Sequence, residues 1–388
     1  MRLNRGIQIA IALLLPLLTI AQTAPLKPLK VAVFAPVYLD SSFSGDSYKL
    51  GNRNPPRYAL PGLDFYNGVM MAVDSLNADH AEVEVLFYDS KSPEASAQAL
   101  GTDPYFTDLS LIIAAFNNRN EIKPLADMAL QQRVPLLSVT YPSDGGITGN
   151  PFFVMLNPAL PVHIESIYKY LQRNYPMENI TVFRRKANAG AMIQYLLSDM
   201  NKKTAGLPLK LQPVELPDNF TAEQLTAHLD STKQNIVVCG AIDEAFGMNL
   251  SKALASVKNY PVTVIGMPTW DGIRDIGKEL DIVYSTPYNL TRTDRFSQYL
   301  SNKYRNIYAG RPSDMFFKGF ESMYHFSRLL MKYPGELPSH LSDRDHKVFA
   351  DFDIQAVRSA KDGNQVDYLE NRKIYFIRKQ GGKIKSVN

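Results

Sequence analysis

The sequence predicts an α/β protein that contains two successive α/β halves, each with a parallel sheet. The first observation is a strand–helix–strand unit over residues 29–88, because such a unit forces its two strands to run parallel. The second is that the alternation of strand and helix patterns restarts after Pro158. The third is the length of 388 residues, which exceeds what one hydrophobic core usually supports.

The first unit starts with an apolar run at residues 29–34, which predicts a buried strand. Residues 64–76 carry apolar side chains at three- and four-residue steps, which predicts a helix with one apolar face. A second strand pattern follows at residues 83–88. Gly68 lies inside this helix, where glycine costs about 1 kcal/mol against alanine, and we expect close packing of the helix on the sheet to offset that cost.

The later elements follow the same two patterns. Predicted strands lie at residues 109–115, 134–139, 152–156, 180–183, 209–216, 236–239 and 262–265. Predicted helices lie at residues 121–132, 160–171, 189–200, 296–307 and 316–330. At the end of the chain, strand-like runs at 373–377 and 383–385 flank Gln380-Gly381-Gly382, which predicts an antiparallel hairpin appended to one half.

The first residues predict an export signal. Arg2 and Arg5 precede an apolar run at residues 7–18, and small residues end at Ala21. The run is shorter than the roughly 20 residues that span a bilayer, although a retained membrane anchor is the alternative. No cysteine lies near the cleavage point for lipid attachment. We therefore expect a signal peptide at residues 1–21 and a periplasmic mature chain that does not span the membrane.

Composition excludes several classes of function. The 42 basic and 38 acidic residues nearly balance, so nothing favours nucleic acid or an anionic membrane as partner. Cys239 is the single cysteine and lies in an apolar run, which makes it a small hydrophobic residue and not a nucleophile. The six histidines lack metal-ligand spacing, and the phosphate-binding and nucleophile-elbow motifs are absent. The sequence predicts no enzyme, cofactor or metal site.

Several segments stand in the order found in one known family. The early ones are Lys30-Val31-Ala32-Val33-Phe34-Ala35-Pro36, Phe65-Tyr66-Asn67-Gly68, Tyr88-Asp89-Ser90, residues 111–115 and residues 134–138. The most specific ones are Phe296-Ser297-Gln298-Tyr299, residues 304–312 and Gly319-Phe320-Glu321-Ser322-Met323, which resemble an "F…Y…Y-G-x-x-P…G-Y-D-A" pattern. The mature chain thus resembles the type I periplasmic-binding-protein family, whose members include branched-chain amino-acid receptors. It looks most similar to extracellular ligand-binding receptors of the Bacteroidetes type.

The resemblance implies two doubly wound parallel-sheet lobes, a hinge that the chain crosses three times, and a ligand in the cleft between the lobes. We expect lobe one to comprise residues 26–155 plus 284–332, and lobe two residues 156–283 plus 333–388. The cleft is also where physical reasoning places a ligand, because ligands of open parallel sheets bind beyond the carboxyl ends of the strands.

In the resembling amino-acid receptors, hydroxyls and backbone N–H groups on lobe-one loops take the ligand carboxylate. By position, the candidates on the lobe-one loops are Tyr38, Ser41, Asn117, Asn118, Ser138, Thr140 and Tyr141. The alternative for the asparagine and serine residues is that they cap the following helices.

Lobe two departs from the pattern of these receptors, which hold the ligand ammonium with a carboxylate. The loop after residues 180–183 is basic and includes Arg184, whereas the loop after residues 262–265 carries Thr269 and Trp270. These three residues are the lobe-two candidates, and Asp271 or Asp243 could replace the missing acid. The basic cluster is either a solvated surface or a site for an anionic ligand or partner. Trp270 either stacks on a ligand or is buried against the hinge.

The loop at residues 40–62 is much longer than the usual connection of about 4–6 residues. It leaves the cleft end of the first strand, so it is a candidate lid or docking surface. The alternative is a disordered loop.

Two functions remain open. The first is a periplasmic solute-binding receptor that captures a small polar ligand, an amino acid or related carboxylate, for an ABC-type transporter with its membrane permease. The second is an envelope interaction module of the same fold that binds another envelope protein, such as a regulator of cell-wall synthesis. The missing acid favours the second function, and the hydroxyls of Ser138, Thr140 and Tyr141 favour the first.

Overall fold

A computed structural model of the protein describes residues 28–186, 188–272, 279–289 and 292–387. The predicted signal peptide, residues 1–21, lies outside these ranges. Within them, no helix combines the length and the apolar character that a membrane crossing requires.

Strands and helices alternate through most of the chain. The strands are β1 (Leu29–Ala35), β2 (Phe43–Ser44), β3 (Ser47–Tyr48), β4 (Val83–Asp89), β5 (Leu111–Ala114), β6 (Leu136–Ser138), β7 (Phe153–Met155), β8 (Asn179–Arg185), β9 (Lys210–Leu216), β10 (Asn235–Cys239), β11 (Val262–Gly266), β12 (Asp281–Thr286), β13 (Ile354–Arg358), β14 (Val366–Asn371), β15 (Tyr375–Gln380) and β16 (Lys383–Val387). The α-helices are α1 (Leu39–Ser42), α2 (Leu60–Ala78), α3 (Ala97–Leu100), α4 (Ile122–Gln132), α5 (Leu160–Asn174), α6 (Asn188–Lys203), α7 (Ala222–Thr226), α8 (Glu244–Ser256), α9 (Arg295–Tyr308), α10 (Asp314–Lys332) and α11 (Leu337–His340).

Two large sheets confirm the predicted α/β class. The strand order is β13-β14-β7-β6-β5-β1-β4 in the first sheet and β16-β15-β12-β11-β10-β8-β9 in the second. The neighbours β4, β1, β5, β6 and β7 of the first sheet pair in parallel. The neighbours β9, β8, β10, β11 and β12 of the second sheet also pair in parallel. The predicted C-terminal hairpin is present as β15 and β16, which pair antiparallel through Gly381 and Gly382 at positive φ.

The segment after α10 departs from the expected division into lobes. We expected all of residues 333–388 in lobe two, but β14 pairs in parallel with β7, so β13 and β14 extend the first sheet. The cause is the preceding connection, in which Leu337 and Leu341 are buried in the core of lobe one and lead the chain to the β7 edge. β12, whose last residues we placed in lobe one, lies in the second sheet.

The apolar face of α2 packs on a helix as well as on the sheet. A Cβ atom on Gly68 would lie 2.0 Å from the carbonyl oxygen of Phe316 in α10. The close approach that Gly68 permits is therefore between two helices, and not between helix and sheet as we expected.

The chain passes between the two sheets three times, after β7, after β12 and after β14. Side chains at the end of β14 bind the first of these crossings. Asn371 Nδ2 donates to the carbonyl of Leu156 at 3.1 Å, and Glu370 accepts from the Ala159 N–H at 2.8 Å. The two crossings are thus held together by buried polar contacts.

Candidate functional site

The loops beyond the carboxyl ends of the parallel strands form the candidate site. Each sheet has a point where its strand order reverses, between β1 and β5 in the first and between β8 and β10 in the second. Such points open a crevice at the carboxyl ends of the strands, which is where open α/β sheets bind ligands.

Tyr38 and Asn117 lie at the reversal point of the first sheet. Tyr38 follows β1 in a left-handed conformation, with φ 54° and ψ 46°, which costs a non-glycine residue of order 1 kcal/mol or more. Asp89 at the end of β4 accepts from the backbone N–H groups of Val37 and Leu39, at 3.1 and 2.7 Å, and holds this loop. The Tyr38 hydroxyl accepts from Asn117 Nδ2 at 3.2 Å, so the two loops present one polar pair.

Thr140 joins the loops that follow β5 and β6. Its Oγ1 donates to the carbonyl of Phe116 at 2.6 Å, and its own carbonyl accepts from Asn157 Nδ2 at 2.6 Å. The hydroxyl oxygen retains a lone pair for a ligand donor. Tyr141, the next residue, is partly buried against a hydrophobic core of lobe one.

Three other lobe-one candidates have local roles. The Asn118 side chain accepts from the Asn120 N–H at 3.0 Å and caps the turn at Arg119–Glu121, as the capping alternative predicted. Ser138 is wholly buried inside β6, and its Oγ has no hydrogen-bond partner among the described residues. Ser41 is partly buried in α1. Its backbone N–H donates to the carbonyl of Tyr38 at the start of this helix.

The basic loop of lobe two is neutralised by acidic neighbours. Arg184 contacts Glu215 at 2.7 Å, on the adjacent strand β9, and Arg185 forms an ion pair with Asp218. Asp243 lies 3.8 Å from Arg185 and caps α8 by accepting from the Phe246 N–H at 2.7 Å. The two arginines of this loop are therefore ion-paired.

Trp270 takes the buried alternative. Its side chain is 0% exposed, and a Cβ atom on Gly266 would lie 2.5 Å from the ring. It fills the core of lobe two. The adjacent Thr269 Oγ1 is buried, with no hydrogen-bond partner in the described part of the chain.

Asp271 forms the centre of a charged cluster between the lobes. Tyr284 of β12 hydrogen-bonds to its carboxylate, and Lys318, Lys379 and Arg292 interact with it electrostatically. Burial raises the pKa of the Asp271 carboxyl, and the cations partly offset this effect.

The cations of this cluster belong to different parts of the fold. Lys318 Nζ, on lobe-one helix α10, lies 3.7 Å from the ring centre of Tyr288 in the second crossing. Arg292, also in that crossing, stacks on Phe317 and pairs with Asp314. Burial lowers the pKa of Lys318 to about 8 and that of Arg292 to about 10.

Sequence reasoning missed all three cations of this cluster, Lys318, Lys379 and Arg292. The available signal was a lysine between phenylalanines in Phe316-Phe317-Lys318-Gly319-Phe320, where the helical pattern predicts an apolar face. Within the described ranges, no three histidine, cysteine or acidic side chains come together as metal ligands.

The sequence matches no protein-family model and no curated protein sequence. Solved structures share its fold at low sequence identity. A substrate-binding protein of an ABC transporter from Desulfitobacterium hafniense, in complex with Leu, has a TM-score of 0.60 at 15% identity over 93% of this chain and 100% of that one. An ABC transporter substrate-binding protein from Sphaerobacter thermophilus has a TM-score of 0.60 at 14% identity over 93% and 96%.

A branched-chain amino acid transporter substrate-binding protein from Streptococcus pneumoniae, in complex with isoleucine, has a TM-score of 0.54 at 15% identity over 93% and 99%. These likenesses confirm the type I periplasmic-binding-protein fold that the resemblance predicted.

Proposed function

We propose that this protein is a solute-binding receptor of the bacterial envelope, which captures a small polar ligand between its lobes for an ABC-type transporter. The observation that carries the proposal is the two-lobed fold, with the strand-reversal points of both sheets opening on ligand crevices. Two solved structures of the same fold hold leucine or isoleucine. On lobe one, the Tyr38–Asn117 pair and Thr140 supply polar groups at the cleft.

The charges favour a carboxylate ligand over an α-amino acid. An amino acid requires a carboxylate for its ammonium group, and the two candidates, Asp271 and Asp243, already have protein donors or cations as partners. Around Asp271, three cations face two acids, because Arg292 is also paired with Asp314, so one cation is in excess. A ligand carboxylate would balance this excess and gain charge-assisted hydrogen bonds from Lys318 or Arg292.

The test is a thermal-shift screen of purified mature protein against carboxylates, α-amino acids, short peptides and sugars. A ligand at 100 times its Kd stabilises the folded state by about 2.7 kcal/mol, which is readily measured. We expect carboxylates without an ammonium group to give the largest shifts. A shift confined to sugars or peptides would contradict the assigned ligand class, and no shift with any compound would contradict the receptor function.

The second candidate, an envelope interaction module, is favoured by one observation. The segment from α1 to the start of α2 exposes five large apolar or aromatic side chains: Leu39, Phe43, Tyr48, Tyr58 and Leu60. A photo-crosslinking amino acid at Tyr58 in native cells tests this candidate. A single crosslinked envelope protein, together with a negative ligand screen, would support it.

A further inference from the structure

Lobe one contains a cavity of about 890 Å³ at the amino ends of its parallel strands. Residues at or directly before the starts of β1, β4, β5, β6 and β7 line it: Leu29, Glu82, Ser110, Pro135 and Phe152. The interlobe crevice lies at the opposite edge of the sheet, beyond the carboxyl ends. The seven residues of β1 separate the two edges by about 20 Å, so the cavity is distinct from the cleft.

The walls of the cavity are apolar. Leu109 and Val134 precede β5 and β6 and are 6–7% exposed, and Leu330 near the end of α10 is equally buried. Met331 and Leu337 continue the wall through the end of α10 and the start of α11. The volume falls within the range of about 300–1,000 Å³ that small-molecule sites occupy, and such sites are mostly apolar.

Main-chain groups at the strand starts are already paired. The carbonyl of Pro135 accepts from the Ile112 N–H at 2.9 Å. The carbonyl of Phe152 accepts from the Leu136 N–H at 2.8 Å. A ligand along this wall therefore meets chiefly apolar side chains, which favours an alkyl body over a peptide or a sugar.

Two hydrogen-bond donors stand together at one end of the cavity. Arg133, the exposed C-cap residue of α4, lines the cavity and forms no ion pair with any described residue. Ser110 Oγ accepts from the Lys30 N–H at 3.3 Å, and its hydroxyl hydrogen has no acceptor in the described part of the chain. Because Ile112 pairs with Leu136, Ser110 lies level with residue 134, next to Arg133.

The acidic side chain of the cavity lies at its other end. Glu82 and His80 precede β4, and both are exposed. The strand order β6-β5-β1-β4 places Glu82 three strand spacings from Arg133, or about 14 Å. This distance exceeds the Debye length of about 8 Å at physiological salt, so Glu82 repels an anion at Arg133 only weakly.

We propose that this cavity binds a monocarboxylate with an elongated alkyl body, which is the chemistry of a fatty acid. The carboxylate accepts from the guanidinium group of Arg133 and from the hydroxyl of Ser110, and the alkyl chain lies along the apolar wall. The site lies at the far edge of the sheet from the cleft, so this assignment goes beyond the proposed receptor function.

The test uses decanoate, with decan-1-ol and butyrate as matched probes that lack the charge or the long chain. Purified mature protein is labelled with ¹³C at its methionine methyl groups, and chemical shifts are followed by NMR. We expect decanoate to shift Met331 saturably and to leave the exposed Met248 of lobe two unchanged. Decan-1-ol should bind about fivefold more weakly, and butyrate at least about a hundredfold more weakly.

Variants of three cations locate the carboxylate. Arg133→Gln should weaken decanoate about fivefold and leave decan-1-ol unchanged. Lys202→Gln, on the exposed end of α6 and without an ion pair to a described residue, should change neither probe. Lys318→Met alters the interlobe cluster about 20 Å along α10 from Met331, and it should leave the Met331 shift intact.

Four results would overturn the proposal. They are the absence of a saturable Met331 shift in the wild type, equal affinities for decanoate and decan-1-ol, an unchanged decanoate Kd in Arg133→Gln, and loss of the Met331 shift in Lys318→Met. The last result would place the carboxylate in the cleft.

Discussion

Gly68 of α2 and Gly319 of α10 each lie against the backbone of the other helix. A Cβ atom on Gly68 would be 2.0 Å from the carbonyl oxygen of Phe316, and one on Gly319 would be 2.2 Å from that of Phe65. The two glycines therefore allow the helices to cross at backbone contact on one face of the first sheet. Phe65, Phe316 and Phe320 are fully buried around this crossing.

Substitution of either glycine by alanine should destabilise the protein. A methyl group at this crossing meets backbone, which cannot rotate away, so the helices must separate and the aromatic packing loosens. We expect Gly68→Ala and Gly319→Ala to lower the free energy of unfolding by about 2–3 kcal/mol each, as overpacking does. Urea denaturation measures this change. Gly363→Ala is the matched control, because a Cβ atom there meets nothing within 4 Å.

The sequence predicts that α2 and α10 each have an apolar face, but not that these faces meet. Periodicity depends on local spacing. The crossing instead brings together Gly68 and Gly319, which are about 250 residues apart in the sequence. The same limit explains the misplaced β13 and β14. The sequence analysis assigns residues 333–388 to one lobe, because a local pattern contains no information on which sheet edge is open.

The candidate site was predictable to a similar degree. Strand ends located Tyr38, Asn117 and Thr140 correctly on loops beyond the carboxyl ends, because that relationship follows from chain order. The partner of Arg184 was not predictable, since Glu215 lies opposite it only through the register of β8 and β9. The burial of Trp270 likewise depends on Gly247 and Gly266, which approach its ring from other elements.

Asn371 should be essential to the hinge. It is 0% exposed, donates to the Leu156 carbonyl, and accepts from the N–H groups of Asp353 and Lys373 at 3.1 and 3.0 Å. Asn371→Ala leaves three backbone groups without partners, and we expect a loss of about 3 kcal/mol or more in unfolding free energy. Thermal and urea denaturation measure it. Asn364→Ala, exposed on the preceding turn, serves as control, and a loss of under about 1 kcal/mol for Asn371→Ala would contradict the assigned role.

Glu321 should make stability depend on pH. Burial raises the pKa of its carboxyl to about 7, although the N–H groups of Phe349 and Ala350 donate to it at 2.8 and 2.6 Å. In the unfolded chain this pKa is near 4.5. The folded state therefore retains a proton that the unfolded state has released, so stability falls as pH rises from about 4.5 to 7 and is constant above.

We expect the wild type to lose about 2–3 kcal/mol across this range relative to Glu321→Gln, which has no proton to release. The measurement is urea denaturation at several pH values, with the variant subtracted so that other groups cancel. Glu94→Gln, exposed and remote from this site, should keep the wild-type slope. Parallel pH curves for wild type and Glu321→Gln would show that the carboxyl ionises as it does in the unfolded chain.

The last prediction concerns the ligand and distinguishes Lys318 from Arg184. Lys318 belongs to the cluster in which three cations face Asp271, whereas Arg184 is paired with Glu215 at 2.7 Å. With the carboxylate that gives the largest thermal shift, Lys318→Met should raise Kd roughly 10- to 100-fold, because a hydrogen bond to a charged group contributes about 1.5–3 kcal/mol. Arg184→Ala should leave Kd unchanged, as should Lys252→Met on the exposed face of α8.

Calorimetric titration at several pH values provides a second test of the role of Lys318. Because the pKa of Lys318 is lowered to about 8, its positive charge is lost as pH rises through 8, and carboxylate affinity should fall over the same interval. The Lys318→Met variant should show no such decline. If Arg184→Ala weakens binding and Lys318→Met does not, the ligand carboxylate binds at the basic loop of lobe two. The assignment of the carboxylate to the charged cluster around Asp271 is then wrong.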